Sequence, residues 1–335
     1  MTAGQHLLTK GMKLVGESGR TYKLTAPLVN RAHTVSHVWL AIDAGNDKSP
    51  YIIKQAASES ERDVRHFRRE IQVHDKLIKS PFIRRRVDLI PSGLDAYPPK
   101  VVLEPFQNTV WGVRNMRRLT RKEIKHIMKF TLLGLYHVYE QGLVYTDLKM
   151  ENMLINFFPK EPRDGSKTVA KLGDLGQVIP PSQGRCQAVA YRSPEVYFGK
   201  PWSYPADIWS WGIVLCHLLE ARAQFDELGM YDDTKMKGTL EEREEIIRRR
   251  MFEDFKLYDV PFYSDCQLPP YDPEWTDDDN WVIRLVEKGI SEYDVTFLWN
   301  VLKADPNERP TIEQIFRHGY LENDEGDEDD KSDES

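Results

Sequence analysis

The sequence predicts an α+β chain of two lobes, a small β-rich lobe followed by a larger helical one. Three observations carry that expectation. The first hundred residues alternate short β-branched and aromatic runs with polar turns, the mark of strands. From about residue 120 the apolar residues recur at helical spacing instead. The 335 residues are enough for one large domain or for two lobes with a shared cleft, and clefts between such units are where ligands sit.

In order, "TYKLTAPLV", "SHVWLAIDA" and "SPYIIKQA" read as strands. In "ESERDVRHFRREIQVHDKLI" the residues Val64, Phe67, Ile71 and Ile78 fall on one helical face. "KVVLEPF" returns to strand. "LTRKEIKHIMKFTLLGLYHVYEQG" opens with Thr120 and Glu123 as a capping box and reaches Gly142 as a C-cap. "NMLINFF" is a further strand. "PADIWSWGIVLCHLLEA" is apolar on nearly all faces, which predicts a helix buried within a lobe. Region 221–290 holds a charged helix, "GTLEEREEIIRRRMFEDF", and then a Pro-, Tyr- and Asp-rich loop. That region either docks a partner or is ordinary surface.

Composition excludes several classes. A chain 40% hydrophobic and 30% charged fits a soluble globular protein. It has no apolar run of about 18 residues to span a membrane, and its start has no apolar segment of signal-peptide length. Cys186, Cys216 and Cys266 are an odd number with no CxxC pair. They argue against a disulfide framework and a zinc site and suit a reducing, intracellular setting, cytoplasm or nucleus. Residues 322–335 hold nine acids and one Lys, and their net −8 leaves the remaining 321 residues at +1. The acidity therefore lies in a tail expected to be disordered, and the near-neutral body favours no nucleic-acid partner.

The chemistry centres on "LVYTDLKMENMLI" at 143–155. Asp147, Lys149 and Asn152 stand at set offsets in a largely apolar stretch. Asp147 could accept a proton, Lys149 neutralise a phosphate and Asn152 hold a metal ion. The plainer alternative is a loop whose side chains brace its own backbone. Asp174, between an apolar strand and a Gly in "AKLGDLGQVI", is a second oxygen donor for a divalent metal. Lys54 ends a buried strand and needs an acid, and Glu70 on the next helix is the natural partner. Together these groups read as phosphoryl-transfer chemistry.

At this point the sequence resembles the eukaryotic protein kinases. It has a strand lysine with a helix glutamate (Lys54, Glu70), D-x-K-x-x-N (Asp147, Lys149, Asn152), D-x-G (Asp174, Leu175, Gly176) and P-E (Pro194, Glu195). Asp207 opens the buried helix, and Arg309 in "DPNERPT" matches the arginine that pairs with the P-E glutamate. The resemblance implies a protein kinase domain over 20–321, with an N-lobe of about 20–106 and a C-lobe of about 107–321. Residues 1–19 would be an N-terminal extension and 322–335 the tail. It implies ATP and magnesium as cofactors and transfer of the γ-phosphate to a protein hydroxyl.

In that reading Lys54, set by Glu70, holds the α/β-phosphates. Asn152 and Asp174 bind magnesium, Asp147 accepts the substrate proton and Lys149 steadies the γ-phosphate. Val38, Ile52, Leu103 and Leu154 line the nucleotide, while Glu104 and Phe106 offer backbone groups to adenine. Lys149 is the serine/threonine pattern. "AYRSPEV" and "SYPADIWS" resemble the group of cyclin-dependent, MAP and SR-protein kinases, and "VSHVWLA" looks most like SR-protein kinases, implying basic or Ser/Arg-rich substrates.

The departures point the other way. Arg31, His33 and Ser36 stand where a phosphate loop usually has glycines, whose missing side chains let backbone N–H groups approach closely. Ile52 replaces the usual Ala over adenine, and overpacking there costs roughly 1–3 kcal/mol. Thr146 replaces an Arg that pairs with a phosphorylated loop, so the usual phosphorylation switch is not expected. Ala188 removes one supporting hydrogen bond, worth about 1 kcal/mol. These motivate a pseudokinase scaffold as the alternative. A small-molecule kinase of similar fold is disfavoured by Pro194-Glu195 and Arg309.

Overall fold

The structure, a computed structural model, describes residues 8–28, 36–92, 98–233, 238–270 and 280–322, leaving aside the side chains of 46–48. The chain divides into two compact units. The first is formed by residues 1–107 with 173–178, the second by 108–172 and 179–335.

The first unit is a six-stranded antiparallel sheet with one helix. Its strands are β1 (Lys13–Val15), β2 (Thr21–Pro27), β3 (Val38–Asp43), β4 (Asn46–Lys54), β5 (Arg86–Ile90) and β6 (Lys100–Leu103), in the order β1-β2-β3-β4-β6-β5. Because strand side chains alternate faces, the sheet sorts its apolar residues into two sets. Tyr22, Leu24, Trp39, Ala41, Ile53 and Val102 bury one face, joined by Leu8, so the stretch before residue 20 is part of this core. Ile52, Val101 and Leu103 bury the other face beneath Phe67 and Ile71 of α1 (Glu61–Lys76). Ser60 caps α1 by accepting the N–H of Asp63. Ile78 does not share the helical face: α1 stops at Lys76, Ile78 is exposed, and the preceding Leu77 is buried in its place.

The second unit is mainly helical. It contains β7 (Asn108–Thr109), α2 (Val110–Arg114), α3 (Arg121–Tyr139), β8 (Met153–Asn156) and β9 (Val169–Leu172). Then come α4 (Pro194–Tyr197), α5 (Tyr204–Ala223), α6 (Leu240–Asp254), α7 (Trp281–Glu287), α8 (Glu292–Val301) and α9 (Ile312–His318). The three short strands pair as β7-β8-β9. The Thr120–Glu123 capping box is present at the start of α3. Its C-cap is Glu140 rather than Gly142, which takes the left-handed turn (φ 68°) just beyond.

α5 is the axis of this unit. Every residue from Ala206 to Ala221 is buried, Trp209 and Trp211 completely. Each large apolar side chain so buried contributes about 1.5–3 kcal/mol, which outweighs the cost of burying Asp207, Ser210 and His217 along the same helix. Among the described residues no helix is long and apolar enough to cross a membrane.

Candidate functional site

In the first unit, three of the predicted residues meet. Lys54, the last residue of β4, donates from Nζ to Glu70 Oε1 at 2.7 Å and to Asp174 Oδ1 at 2.9 Å. Burial opposes the lysine's charge, but the carboxylates of Asp174 and Glu70 outweigh it and hold the amine above its ordinary range. The pair is unequal in exposure: the Glu70 side chain is 4% exposed and that of Asp174 is 50%. Glu70 is thus buried beside the lysine, and Asp174 is half exposed.

Asp174 sits in a left-handed conformation, φ 37°, with Oδ1 accepting the N–H of Gly176. Any side chain at Gly176 would put its Cβ 3.3 Å from both Asp174 Oδ1 and Glu70 Oε2, so a glycine keeps the two carboxylates unobstructed.

Val38, Ile52 and Leu103 gather in the apolar cluster on the Lys54 face of the sheet, as period-two alternation requires. Ile52 is 6% exposed there, packed with Phe67 and Ile71 rather than projecting. The backbone of Glu104 is partly committed. Its N–H donates to Arg85 O at 3.0 Å, and its carbonyl accepts Arg84 Nε at 2.9 Å. Phe106 is half-buried three residues past the end of β6. Arg31 and His33 lie outside the described residues. Ser36 is described and buried, its hydroxyl donating to Val38 O at 2.6 Å.

In the second unit the loop before β8 gathers the other predicted trio. Lys149 Nζ donates to both carboxylate oxygens of Asp147, at 2.9 and 2.7 Å. Asn152 Nδ2 donates to Asp147 O and Oδ2, both at 2.8 Å. The Asn152 amide nitrogen is therefore spent on Asp147, while its oxygen accepts no hydrogen bond among the described residues. Leu154, in β8, is half-buried, on the opposite face from the buried Met153 and Ile155.

The loop is held from below by Asp207 of α5. Its carboxylate accepts the backbone N–H groups of Tyr145 at 2.7 Å and Thr146 at 2.9 Å. Burial pushes the Asp207 carboxyl up to about 7, against the pull of those two N–H groups. Val144 and Ile179 exchange both backbone bonds and pin the other side of the loop.

The expected Glu195–Arg309 pair is present and bidentate, with both distances 2.7 Å and both side chains 0% exposed. Arg309 also donates to the carbonyls of Lys303, Pro205 and Ala304 and lies 5.0 Å over the ring of Trp209.

Two residues of this region escaped sequence reasoning. Gln187, at φ 65°, uses its amide four ways: it donates to Ala206 O and Ser210 Oγ and accepts from Ser193 N and Ser193 Oγ. Glu244 of α6 takes Arg192 at 2.8 Å and Arg185 at 3.3 Å. Nothing local marks either one, since their partners lie up to 59 positions away in the chain.

Both trios consist of oxygen donors and cations suited to a hard divalent ion and to phosphate oxygens. A family model for the protein kinase domain matches residues 34–321.

Proposed function

Since that match spans most of its length, the chain belongs to the protein kinase domain family, and on this premise we propose that it transfers the γ-phosphate of ATP to serine or threonine hydroxyls of proteins. The observation that carries the reading is the pair of hydrogen bonds that Lys54 donates, one to buried Glu70 and one to exposed Asp174. A scaffold needs the first contact at most; the second sets a cation beside an open carboxylate, as phosphate and metal binding require.

The donor set fits magnesium. Asp174 presents a half-exposed carboxylate, and Asn152 turns its nitrogen to Asp147 so that its oxygen is left for the ion. Magnesium characteristically takes one or two such protein oxygens and completes its shell with phosphates and water. When bound it neutralises charge on the phosphates. Lys54 is held by Glu70 to meet the same phosphates. Asp147, fixed by Lys149 and Asn152, orients the attacking hydroxyl and accepts its proton. Lys149 loses part of its hold on Asp147 to steady the γ-phosphate.

Finer points belong to the same proposal. The Lys149 position supports serine/threonine rather than tyrosine specificity. The segments "AYRSPEV" and "VSHVWLA" support a place beside the SR-protein kinases and a basic or Ser/Arg-rich substrate. Three free cysteines support an intracellular location.

The test is calorimetric titration of ATP into the full chain with and without magnesium, beside Asp174→Ala, followed by turnover on Ser/Arg-rich peptides beside Asp147→Asn. Magnesium-dependent binding lost in Asp174→Ala, with turnover lost and binding kept in Asp147→Asn, supports the proposal. Absence of binding at millimolar ATP leaves the pseudokinase scaffold as the reading, consistent with Ile52 and the engaged Glu104 carbonyl.

A further inference from the structure

Residues 157–168, joining β8 to β9, take no part in the chemistry above, yet they are tied down firmly. Arg117 donates to the carbonyls of Pro159 and Lys160, both at 3.1 Å, while gripping Glu123 at 2.7 and 2.8 Å. The ring of Phe158 lies 4.5 Å from the same guanidinium. Thr120 Oγ1 donates to Arg163 O, Arg163 N donates to Glu123 Oε1, and His126 Nε2 meets Thr168 O. Gly165, at φ 75°, lies so close to α3 that a Cβ would stand 3.1 Å from Glu123 Cα. Only glycine permits both the conformation and the approach.

A loop fixed this way presents its outward side chains at set positions. Lys160, Arg163 and Lys167 are exposed, and none forms an ion pair among the described residues. Lys122 and Lys129 of α3 extend the charge, at i and i+7, with His126, on which the loop rests, between them at i+4. The loop also lines an open cavity of about 540 Å³. Within it Thr168 is 4% exposed, and its hydroxyl has no hydrogen-bond partner. The exposed cations Lys160, Arg163 and Lys167 outnumber the loop's exposed acids, Glu161 and Asp164, which favours an acidic occupant.

The chain carries one that starts at this face. Lys129 Nζ already holds Glu322 Oε1 at 2.6 Å. Beyond it, residues 323–335 include eight acids and one Lys. Extended, that length reaches up to about 43 Å at roughly 3.3 Å per residue, while Lys122 and Lys129 are separated by about 10 Å of helix. A tether this short gives an effective concentration on the order of millimolar, so many weak charge contacts suffice. We propose that residues 323–335 fold back from Glu322 along the face made by Lys122, Lys129 and the 157–168 loop, as an intramolecular acidic ligand.

The experiment is zero-length carbodiimide coupling, which joins amines and carboxylates in contact, on the full chain at about 0.05 M and about 0.5 M salt. Mixing isotope-labelled and unlabelled chains separates coupling within a chain from coupling between chains. The expected products join acids of 324–334 to Lys122, Lys160 or Lys167 within one chain, several-fold fewer at high salt because screening shortens to a few Å. R163E/K167E should lower coupling at Lys122 and Lys160 by at least about fivefold, with an unchanged melting temperature showing that the fold is intact. Coupling spread evenly over lysines elsewhere, coupling only between chains, or none at all overturns the proposal.

Discussion

Asp207 holds Thr146 in a backbone conformation that a β-branched residue rarely adopts. Thr146 has φ 60°, and its N–H donates to Asp207 Oδ1 at 2.9 Å while Tyr145 donates to Oδ2 at 2.7 Å. A left-handed conformation costs a non-glycine residue about 1–2 kcal/mol, so the loop ahead of Asp147 needs this brace. Asp207→Asn keeps the shape but turns an NH2 group toward one of the two donors. Read at pH 8, above the value of about 7 for this carboxyl, it should lose about 1.5–3 kcal/mol in denaturant titration. An unchanged midpoint would show that the loop holds its own conformation.

The Glu195–Arg309 pair predicts a stability effect independent of nucleotide. Arg309 satisfies two carboxylate oxygens and three carbonyls, a fork that lysine cannot reproduce. Arg309→Lys leaves buried Glu195 poorly paired and should cost about 3–5 kcal/mol. That corresponds to a melting temperature lower by roughly 10 °C. Calorimetric melting checks it, and a shift below about 2 °C would assign the stability of this region elsewhere.

Glu70→Gln removes the charge that anchors Lys54 and leaves Asp174 as its remaining carboxylate. The lysine should then follow Asp174 and lose its set position. We expect phosphoryl transfer to fall about 10- to 100-fold, as for loss of one hydrogen bond between charged groups. Steady-state kinetics against ATP would show it. Wild-type rates in the variant would reduce Glu70 to a structural role.

His74 predicts acid sensitivity. It is 3% exposed on α1, and burial, then the nearby positive charges of Lys54, Arg86 and Arg84, lower its pKa to about 3. A folded-state pKa below the unfolded one of about 6.5 means that only the unfolded chain binds this proton between those values. The contribution to stability is therefore full above pH 6.5 and declines as pH falls toward 3, by up to about 1.4 kcal/mol per pH unit. His74→Gln, which cannot titrate, should flatten the stability profile across that window. Parallel profiles for the two proteins would exclude His74 as a source of acid sensitivity.

Much of the site was legible because its signals are local. Asp147, Lys149 and Asn152 lie within six consecutive positions and bond one another directly. Lys54 at a strand end and Glu70 on the next helix announce a pair because a buried lysine needs an acid. Helix boundaries were less legible. Ile78 continued the helical period past the true end of α1, since periodicity extrapolates where chain geometry does not.

By itself, then, the sequence determined which residues would be buried and which polar groups would seek one another. Periodicity and unpaired charge are properties of neighbours along the chain. Only the tertiary structure decided that Gln187 ties Ser193 to Ser210, that Glu244 answers Arg192, and that Asp207 strains Thr146. It also decided that the 157–168 loop would lie close on α3, with its cations outward. These relations join residues far apart in sequence, and whether such groups meet depends on how the helices and strands between them close, which no local pattern encodes.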